Sequence, residues 1–331
     1  MKKVGLTTTV PVEVLFAAGV TPVDLNNIFV TSGKALDYIE YSEVEGFPRN
    51  LCAWIKGLYA TALLTDIDMV IGVTEGDCSN TKALIEVWQS KGKEVVPFGF
   101  PQNRRYEIIV EEINHLMNYF NVDLEKVEEV KRRLYPIRQR IKYLDELTWK
   151  TNQATGFENH LWQVSSSDFN GNPNAFSDEL EATIKEIEIR PPFPQNEVRL
   201  GYIGVPPIIE DLYDLVEENG GRIVFNEVQR AFTMAKEPID TDIYQMYLNF
   251  TYPYHLNRRL EEIQQAIEER KLDGIIHYTQ SFCYRGIEDI LIKNQLKVPV
   301  LTIEGDFPSK ADARTKLRLE SFMDMLKDFK E

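Results

Sequence analysis

The sequence predicts an α/β protein made of two doubly wound parallel-sheet domains of the Rossmann or flavodoxin type, with a helical intervening segment. Three observations predict it. Strand-like runs alternate with helical ones, the order that gives parallel strands covered by helices. The length of 331 residues corresponds to about two domains at roughly 150 residues each. The second half also repeats a plan found in the first. In TDIDMVIGVTEGDCSNTKALIEVWQSKGKEVVPF and KLDGIIHYTQSFCYRGIEDILIKNQLKVPVLTI an Asp opens an apolar strand and a Cys follows ten residues after it, from Asp68 to Cys78 and from Asp273 to Cys283. A helix comes next, then an apolar strand with a proline, Pro97 or Pro299.

Taken in chain order, Val4 to Thr8 is the first predicted strand. Thr7, Thr8, Thr9, Pro11 and Glu13 interrupt the apolar stretch, so the start does not read as a secretory signal. The opening KVGLTTTVPVEVLFAAG also matches VRLGYIGVPPIIEDLYDLVEENGG, which opens the second half. Tyr106 to Glu146 reads as helical and charged, with Pro136 expected to break or kink it. The stretch TGFENHLWQVSSSDFNGNPNAF reads as a polar segment, either a surface loop or the lining of a substrate pocket or dimer contact. Arg190–Gln195, RPPFPQ, suits a stiff linker between residues 1–190, which carry Cys52 and Cys78, and residues 196–331, which carry Cys283. Beyond it, Val198 to Ile203 is predicted as a strand and Ile208 to Glu218 as a helix stopped by Gly220 and Gly221. Arg222 to Asn226 is a strand and Leu256 to Arg270 a long helix. Asp273 to Tyr278 is a strand, Ile287 to Asn294 a helix, Val298 to Ile303 a strand, and Lys310 to Lys327 the last helix.

Composition narrows the function. Lys and Arg number 37 against 52 Asp and Glu, a net charge of −15. Such an acidic chain is a poor non-specific binder of nucleic acid, whose phosphates need Lys and Arg, yet a local basic pocket could still hold a small anion. Apolar residues make up 43%, too many for a disordered chain. No run of about eighteen apolar residues exists to span a membrane. No GxGxxG, P-loop or serine-nucleophile elbow is present, which argues against nucleotide binding by this chain itself.

The chemistry rests on the three cysteines, Cys52, Cys78 and Cys283. An odd number at wide spacing is not a disulfide framework, and a cytoplasmic setting keeps thiols reduced. Cys78 and Cys283 fall in loops after strand carboxyl ends, the edge where doubly wound sheets bind ligands. Cys52 opens the helical run CAWIKGLYATALL. Near a helix N-terminus a thiolate is favoured over a thiol, and Lys56 and Lys82 stand one turn beyond Cys52 and Cys78. Three readings stay open: unrelated core cysteines, a zinc site lacking an obvious fourth ligand, or an iron–sulfur cluster with one iron open. The nearest histidine, His277, lies six residues before Cys283.

The layout resembles the cluster-binding subunits of the 2-hydroxyacyl-CoA dehydratase and benzoyl-CoA reductase family. The residues that carry the resemblance are PVEVLFAAGVTPVDL, Cys52 in FPRNLCAWIKG, Cys78 in VTEGDCSNTK, PFGFPQNRRYEIIVEEINHL, Cys283 in DGIIHYTQSFCYRG, and VPVLTIEGDFPSKADARTKLRLESFMDML. The resemblance implies a 4Fe–4S cluster on Cys52, Cys78 and Cys283, and the cysteines are too few for the double-cubane members. It implies an ATP-dependent iron–sulfur activator that supplies a low-potential electron, an acyl-CoA-like substrate whose thioester carbonyl accepts it, and a dimer, either homomeric or with a related second subunit. The chain is short for such a subunit, so reduced substrate-binding insertions are expected. Glu75, beside Cys78 in one of two EGD sequences, is the candidate catalytic base, with a capping turn as the alternative. Arg104 and Arg105 are candidates for substrate binding. Lys131, Arg132, Arg133, Arg138, Arg140 and Lys142 could meet CoA phosphates or an acidic partner, or form a solvated helix face. Tyr252, Tyr254 and His255 read as packing around a turn at Pro253. Two other functions fit the same sequence: an electron-transfer or cluster-carrying protein without acyl-CoA activity, and a non-redox two-domain ligand-binding protein.

Overall fold

The computed structural model describes residues 1–330. Its elements run β1 Lys3–Leu6, α1 Val12–Ala17, β2 Thr21–Asp24, α2 Leu25–Thr31, α3 Ala35–Val44, α4 Ala53–Leu64, β3 Met69–Glu75, α5 Thr81–Ser90, β4 Glu94–Gly99, α6 Tyr106–Phe120, α7 Leu124–Trp149, α8 Gly156–Ser165 and α9 Pro173–Glu188. There follow β5 Val198–Gly204, α10 Leu212–Glu218, β6 Gly221–Asn226, α11 Glu227–Phe232, α12 Ile243–Asn249, α13 Leu256–Arg270, β7 Gly274–Gln280, α14 Asp289–Gln295, β8 Val300–Gly305 and α15 Ala313–Lys330. Among the described residues no helix is long and apolar enough to cross a membrane.

The strands form two four-stranded parallel sheets in the same order, β2-β1-β3-β4 and β6-β5-β7-β8. The doubly wound α/β prediction is borne out in both halves. Helices cover the faces, so the inner strands are apolar almost throughout: Met69, Val70, Ile71 and Val73 in β3, and Ile275 and Ile276 in β7, are all buried. Pro97 is tolerated because β4 is an edge strand that pairs only with β3.

The repeated Asp has a shared structural cause. Asp68 Oδ2 accepts from the Lys3 backbone N–H at 2.6 Å, and Asp273 Oδ2 accepts from that of Arg199 at 2.7 Å. Each carboxylate ties the chain entering the third strand to the first strand beside it.

The chain divides into two compact units that interleave in sequence. One comprises 1–139, 164–178 and 231–255, and the other 140–163, 179–230 and 256–331. This differs from a single cut at Arg190–Gln195, because long-range contacts recruit segments that local pattern assigns elsewhere. In the first unit Tyr247 of α12 donates to Glu13 Oε2 at 2.8 Å and to the Val10 carbonyl at 3.0 Å, and Arg138 pairs with Glu13 at 2.7 Å. In the second, Arg270 of α13 clasps Asp145 through both carboxylate oxygens, at 2.9 and 2.6 Å.

Two local expectations need correcting. Of the break or kink expected at Pro136, the break does not form: α7 is continuous across it. Pro136 and Arg132 are both on the exposed side, where water can take the carbonyl that the proline leaves without a donor. Of the two readings of the polar segment, the surface loop is not what forms: it holds α8 and the start of α9. Its polar groups are spent internally: Asn159 Nδ2 donates to Asp145 at 2.8 Å, and Ser166, Ser167 and Asp168 are buried.

Asp24 and Asp168 form a buried carboxyl pair in the first unit. Asp168 Oδ2 accepts from the Asp24 backbone N–H at 2.6 Å, and the Ser167 hydroxyl donates to Asp24 Oδ2 at 2.6 Å. Burial, and then the charge of Asp24, push the Asp168 carboxyl up to about 7. In the unfolded chain the group titrates near the ordinary value of about 3.9. Between these values the folded state holds a proton that the unfolded state has released, so stability falls as pH rises from the ordinary carboxylate range through about 7. Thermal unfolding of the first unit is expected at a lower temperature at pH 8 than at pH 5.5. Asp168→Asn should flatten that dependence, and an unchanged pH slope in the variant would refute the assignment.

Candidate functional site

In a parallel sheet the crossover helix runs against the strands, so its N-terminus lies at the strands' carboxyl edge. Cys52 is the N-cap residue of α4, which leads into β3, and its side chain makes no capping hydrogen bond. Cys78 lies in the loop from β3 to α5. Both cysteines therefore stand at the carboxyl edge of the first sheet. Cys52 is 7% exposed and belongs to a core cluster with Leu25, Ile55, Tyr59 and Trp88, and half-buried Cys78 packs against the same cluster. In the second unit Cys283 follows β7 and caps a short 3-10 turn, Tyr284–Glu288, that leads into α14. The matched cysteines thus follow the third strand of each sheet. The helix expected from Ile287 begins as this 3-10 turn.

The loops that carry the cysteines are held firmly. Lys56, fully buried, donates to Glu43 Oε1 at 2.7 Å and to the Arg49 carbonyl at 2.9 Å, which fixes the chain entering Cys52. Before Cys78, Gly76 has φ +88°, and a Cβ there would come within 2.7 Å of Phe100 and of Pro253. Only glycine meets both demands. The next residue, Asp77, accepts from the Tyr252 hydroxyl at 2.9 Å. Phe282, immediately before Cys283, is in the left-handed region at φ 64°, a conformation that costs free energy and clusters at functional sites.

The other sequence candidates are placed as follows. Glu75 ends β3 and is exposed; its Oε1 accepts from the Gln102 backbone N–H at 2.9 Å. Nearby, Glu112 accepts from the Gly99 backbone N–H at 3.0 Å, and burial is the main cause of its raised pKa. Arg104 donates to the Leu248 carbonyl at 2.6 Å and lies over the Tyr254 ring at 5.1 Å, whereas Arg105 is exposed, 3.7 Å from Glu107. Tyr252 and Tyr254 are buried, as the packing reading expects, but His255 is exposed. The basic run on α7 is not one patch. Lys131 and Arg138 are buried in ion pairs with Glu128 and Glu13, each at 2.7 Å, and Arg140 pairs with Glu181, while Arg132, Arg133 and Lys142 face solvent. His277 is bound by Asp289 at 2.7 Å, and burial lowers its pKa.

The sequence did not single out Glu43, Tyr252 as a partner of Asp77, or the ion pairs behind Cys283. Each brace joins residues far apart in sequence. The one available signal was the presence of charged residues inside otherwise apolar helices, such as Lys56 within AWIKGLYATALL.

Among the described residues no group of three or more His, Cys, Asp and Glu side chains is gathered around a single-ion position. A four-iron cluster makes a different demand: cysteine thiolates, an apolar surround and orienting outer partners. Cys52 and Cys78 sharing one apolar cluster, together with the braces on each cysteine loop, fit that demand.

Comparison with known proteins shows the family. Residues 7–326 match the 2-hydroxyglutaryl-CoA dehydratase D-component family. The chain is 22% identical to the (R)-phenyllactyl-CoA dehydratase beta subunit of Clostridium sporogenes, over 96% of this chain and 89% of that protein. It is also 22% identical to the "Putative dehydratase subunit YjiM" of Escherichia coli (strain K12), over 96% of this chain and 90% of that one. Little of either relative's length lacks a counterpart here. With its paired parallel sheets and matched cysteine loops, the chain belongs to the 2-hydroxyglutaryl-CoA dehydratase D-component family.

Proposed function

We propose that this dehydratase-type subunit holds a 4Fe–4S cluster on Cys52, Cys78 and Cys283 and acts on an acyl-CoA or similar carbonyl substrate. The observation that carries the reading is the placement of matched cysteines after the third strand of both sheets, on loops with buried braces. When bound, such a cluster would be held by the three cysteine thiolates and would supply low-potential one-electron chemistry. The family resemblance implies a separate ATP-dependent iron–sulfur activator as the source of the driving energy, which agrees with the lack of a P-loop or GxGxxG sequence in this chain. Assembly is as a homodimer or with a related second subunit, in the cytoplasm, where thiols stay reduced.

The protein's own groups divide the remaining work. The cysteine loops exclude water from the thiolates and fix their directions. Glu75, at the sheet edge three residues before Cys78, takes or returns a proton on the substrate. Exposed Arg105 offers a cation to an anionic group of the substrate. Arg104, already bonded to Leu248 and stacked on Tyr254, shapes that same turn.

Glu75→Gln tests this division. The variant is expected to keep the wild-type visible spectrum and iron content, while turnover with its activator falls by about a hundredfold, the usual scale of a lost general base. Unchanged turnover would remove Glu75 from catalysis. If the wild-type protein, reduced and paired with its activator, acted on no acyl-CoA in a broad panel, the acyl-CoA reading would fail and a cluster carrier would remain.

A further inference from the structure

Behind Cys283 the second unit contains a charged cluster that the proposed chemistry does not use. Arg259 of α13 is 1% exposed. Its guanidinium is gripped by Glu227, at the start of α11, through Nε at 2.5 Å and Nη2 at 3.0 Å. Nη1 donates to Glu288 Oε2 at 2.5 Å. Glu288 is the last residue of the 3-10 turn capped by Cys283, and its Oε1 also accepts from Arg285 at 3.3 Å. Glu227 Oε2 is fixed in turn by the Gly204 backbone N–H at 3.1 Å, at the carboxyl end of β5. Two carboxylates and two guanidiniums balance in charge, so the cluster can be buried without a net ion.

The arrangement is directional. Glu227 and Arg259 belong to the rigid frame of β5, β6 and α13, and Glu288 belongs to the loop. In the matched loop of the first unit Asp77 accepts from the hydroxyl of Tyr252. Outer partners that orient a ligand are commonly worth a factor of about 10 to 100 in metal affinity or activity.

We infer that Arg259, acting through Glu288, is a positioning residue for Cys283: it holds the Tyr284–Glu288 turn so that the Cys283 thiol is presented in one direction. The inference deepens the proposed function and takes its purpose from that reading, but the mechanical link can be measured without a cluster. Glu288→Ala cuts the link and leaves Arg259 bound to Glu227. Glu288→Gln restores an uncharged acceptor of the same shape. Glu262→Gln serves as the control, because it weakens another ion pair of α13, to Arg230 at 2.9 Å.

The experiment uses the full-length, cluster-free protein and reads the iodoacetamide alkylation rate of each cysteine by mass spectrometry. Opening of the turn exposes the half-buried thiol. Glu288→Ala is expected to raise the Cys283 rate by about tenfold, the scale of one lost charge-assisted hydrogen bond, with Cys52 and Cys78 unchanged. Glu288→Gln should fall between it and the wild type, and the control should match the wild type. An unchanged Cys283 rate, or an equal rise at all three cysteines, would overturn the inference. Anaerobic reconstitution separates the two ideas. A selective Cys283 response in protein that takes up no iron would sink the cluster reading and leave the brace standing. Iron uptake without that response would do the reverse.

Discussion

Cys78→Ala protein, purified without oxygen, is expected to show no charge-transfer absorbance in the visible and no turnover above background. Cys78 is rooted at the carboxyl end of β3, half-buried against the core cluster that contains Cys52. The backbone around it is tightly constrained by Gly76 at φ +88° and by the Tyr252–Asp77 hydrogen bond. With two thiolates left, a cubane would have two irons without protein ligands, and its retention would fail. Alanine removes only one half-buried sulfur, so circular dichroism and the unfolding midpoint should stay near wild type. Full activity in this variant would mean that the chemistry does not depend on a cluster at this position.

The largest effect on stability is expected from Arg222→Ala, in β6. Arg222 is fully buried, and each of its three guanidinium nitrogens has an acceptor. Nη2 meets Glu197 at 2.6 Å, Nε spans both Glu197 oxygens at 3.2 and 3.1 Å, and Nη1 reaches the carbonyls of Thr148 and Ala154 at 2.5 and 2.6 Å. The guanidinium also lies 4.7 Å from the centre of the Phe193 ring. Truncation leaves the buried Glu197 carboxylate with only Arg199, at 3.8 Å, and takes the guanidinium donor from two buried carbonyls, a loss of roughly 3–5 kcal/mol. Arg222→Lys should recover little, because one ammonium cannot serve a carboxylate and two carbonyls in that planar layout. Urea denaturation checks this through the transition of the second unit, since two units need not unfold together. A midpoint equal to wild type would show that the cluster contributes nothing net.

The fold was legible because its signals are local. Apolar runs such as MVIGV and GIIHY can only be strands buried on both faces, and the Asp68 and Asp273 repeats mark the same turn into a third strand. α13 runs Leu256–Arg270, as its periodicity predicted. The interleaved units were not legible. Glu13 meets Arg138 and Tyr247, residues more than a hundred positions away, and nothing in PVEVLF announces either partner. The helices in the polar segment were hidden for a related reason. Asn159, Ser167 and Asp168 look solvent-facing by type, but each hydrogen-bonds to Asp145 or Asp24 inside. At the site, the cysteines and their helix starts followed from sequence order. The braces on Lys56, Asp77 and Glu288 required the tertiary structure. Six basic residues between Lys131 and Lys142 looked like one patch, yet Lys131 and Arg138 are turned inward by Glu128 and Glu13.

Iron and acid-labile sulfide analysis of anaerobically purified protein, read beside its visible spectrum, tests the central claim most directly. The account predicts about four irons and four sulfides per chain, the content of one cubane, with broad visible absorbance that bleaches on reduction. Stoichiometric zinc with no iron, or a folded protein that binds no metal even after reconstitution with iron and sulfide, would contradict it.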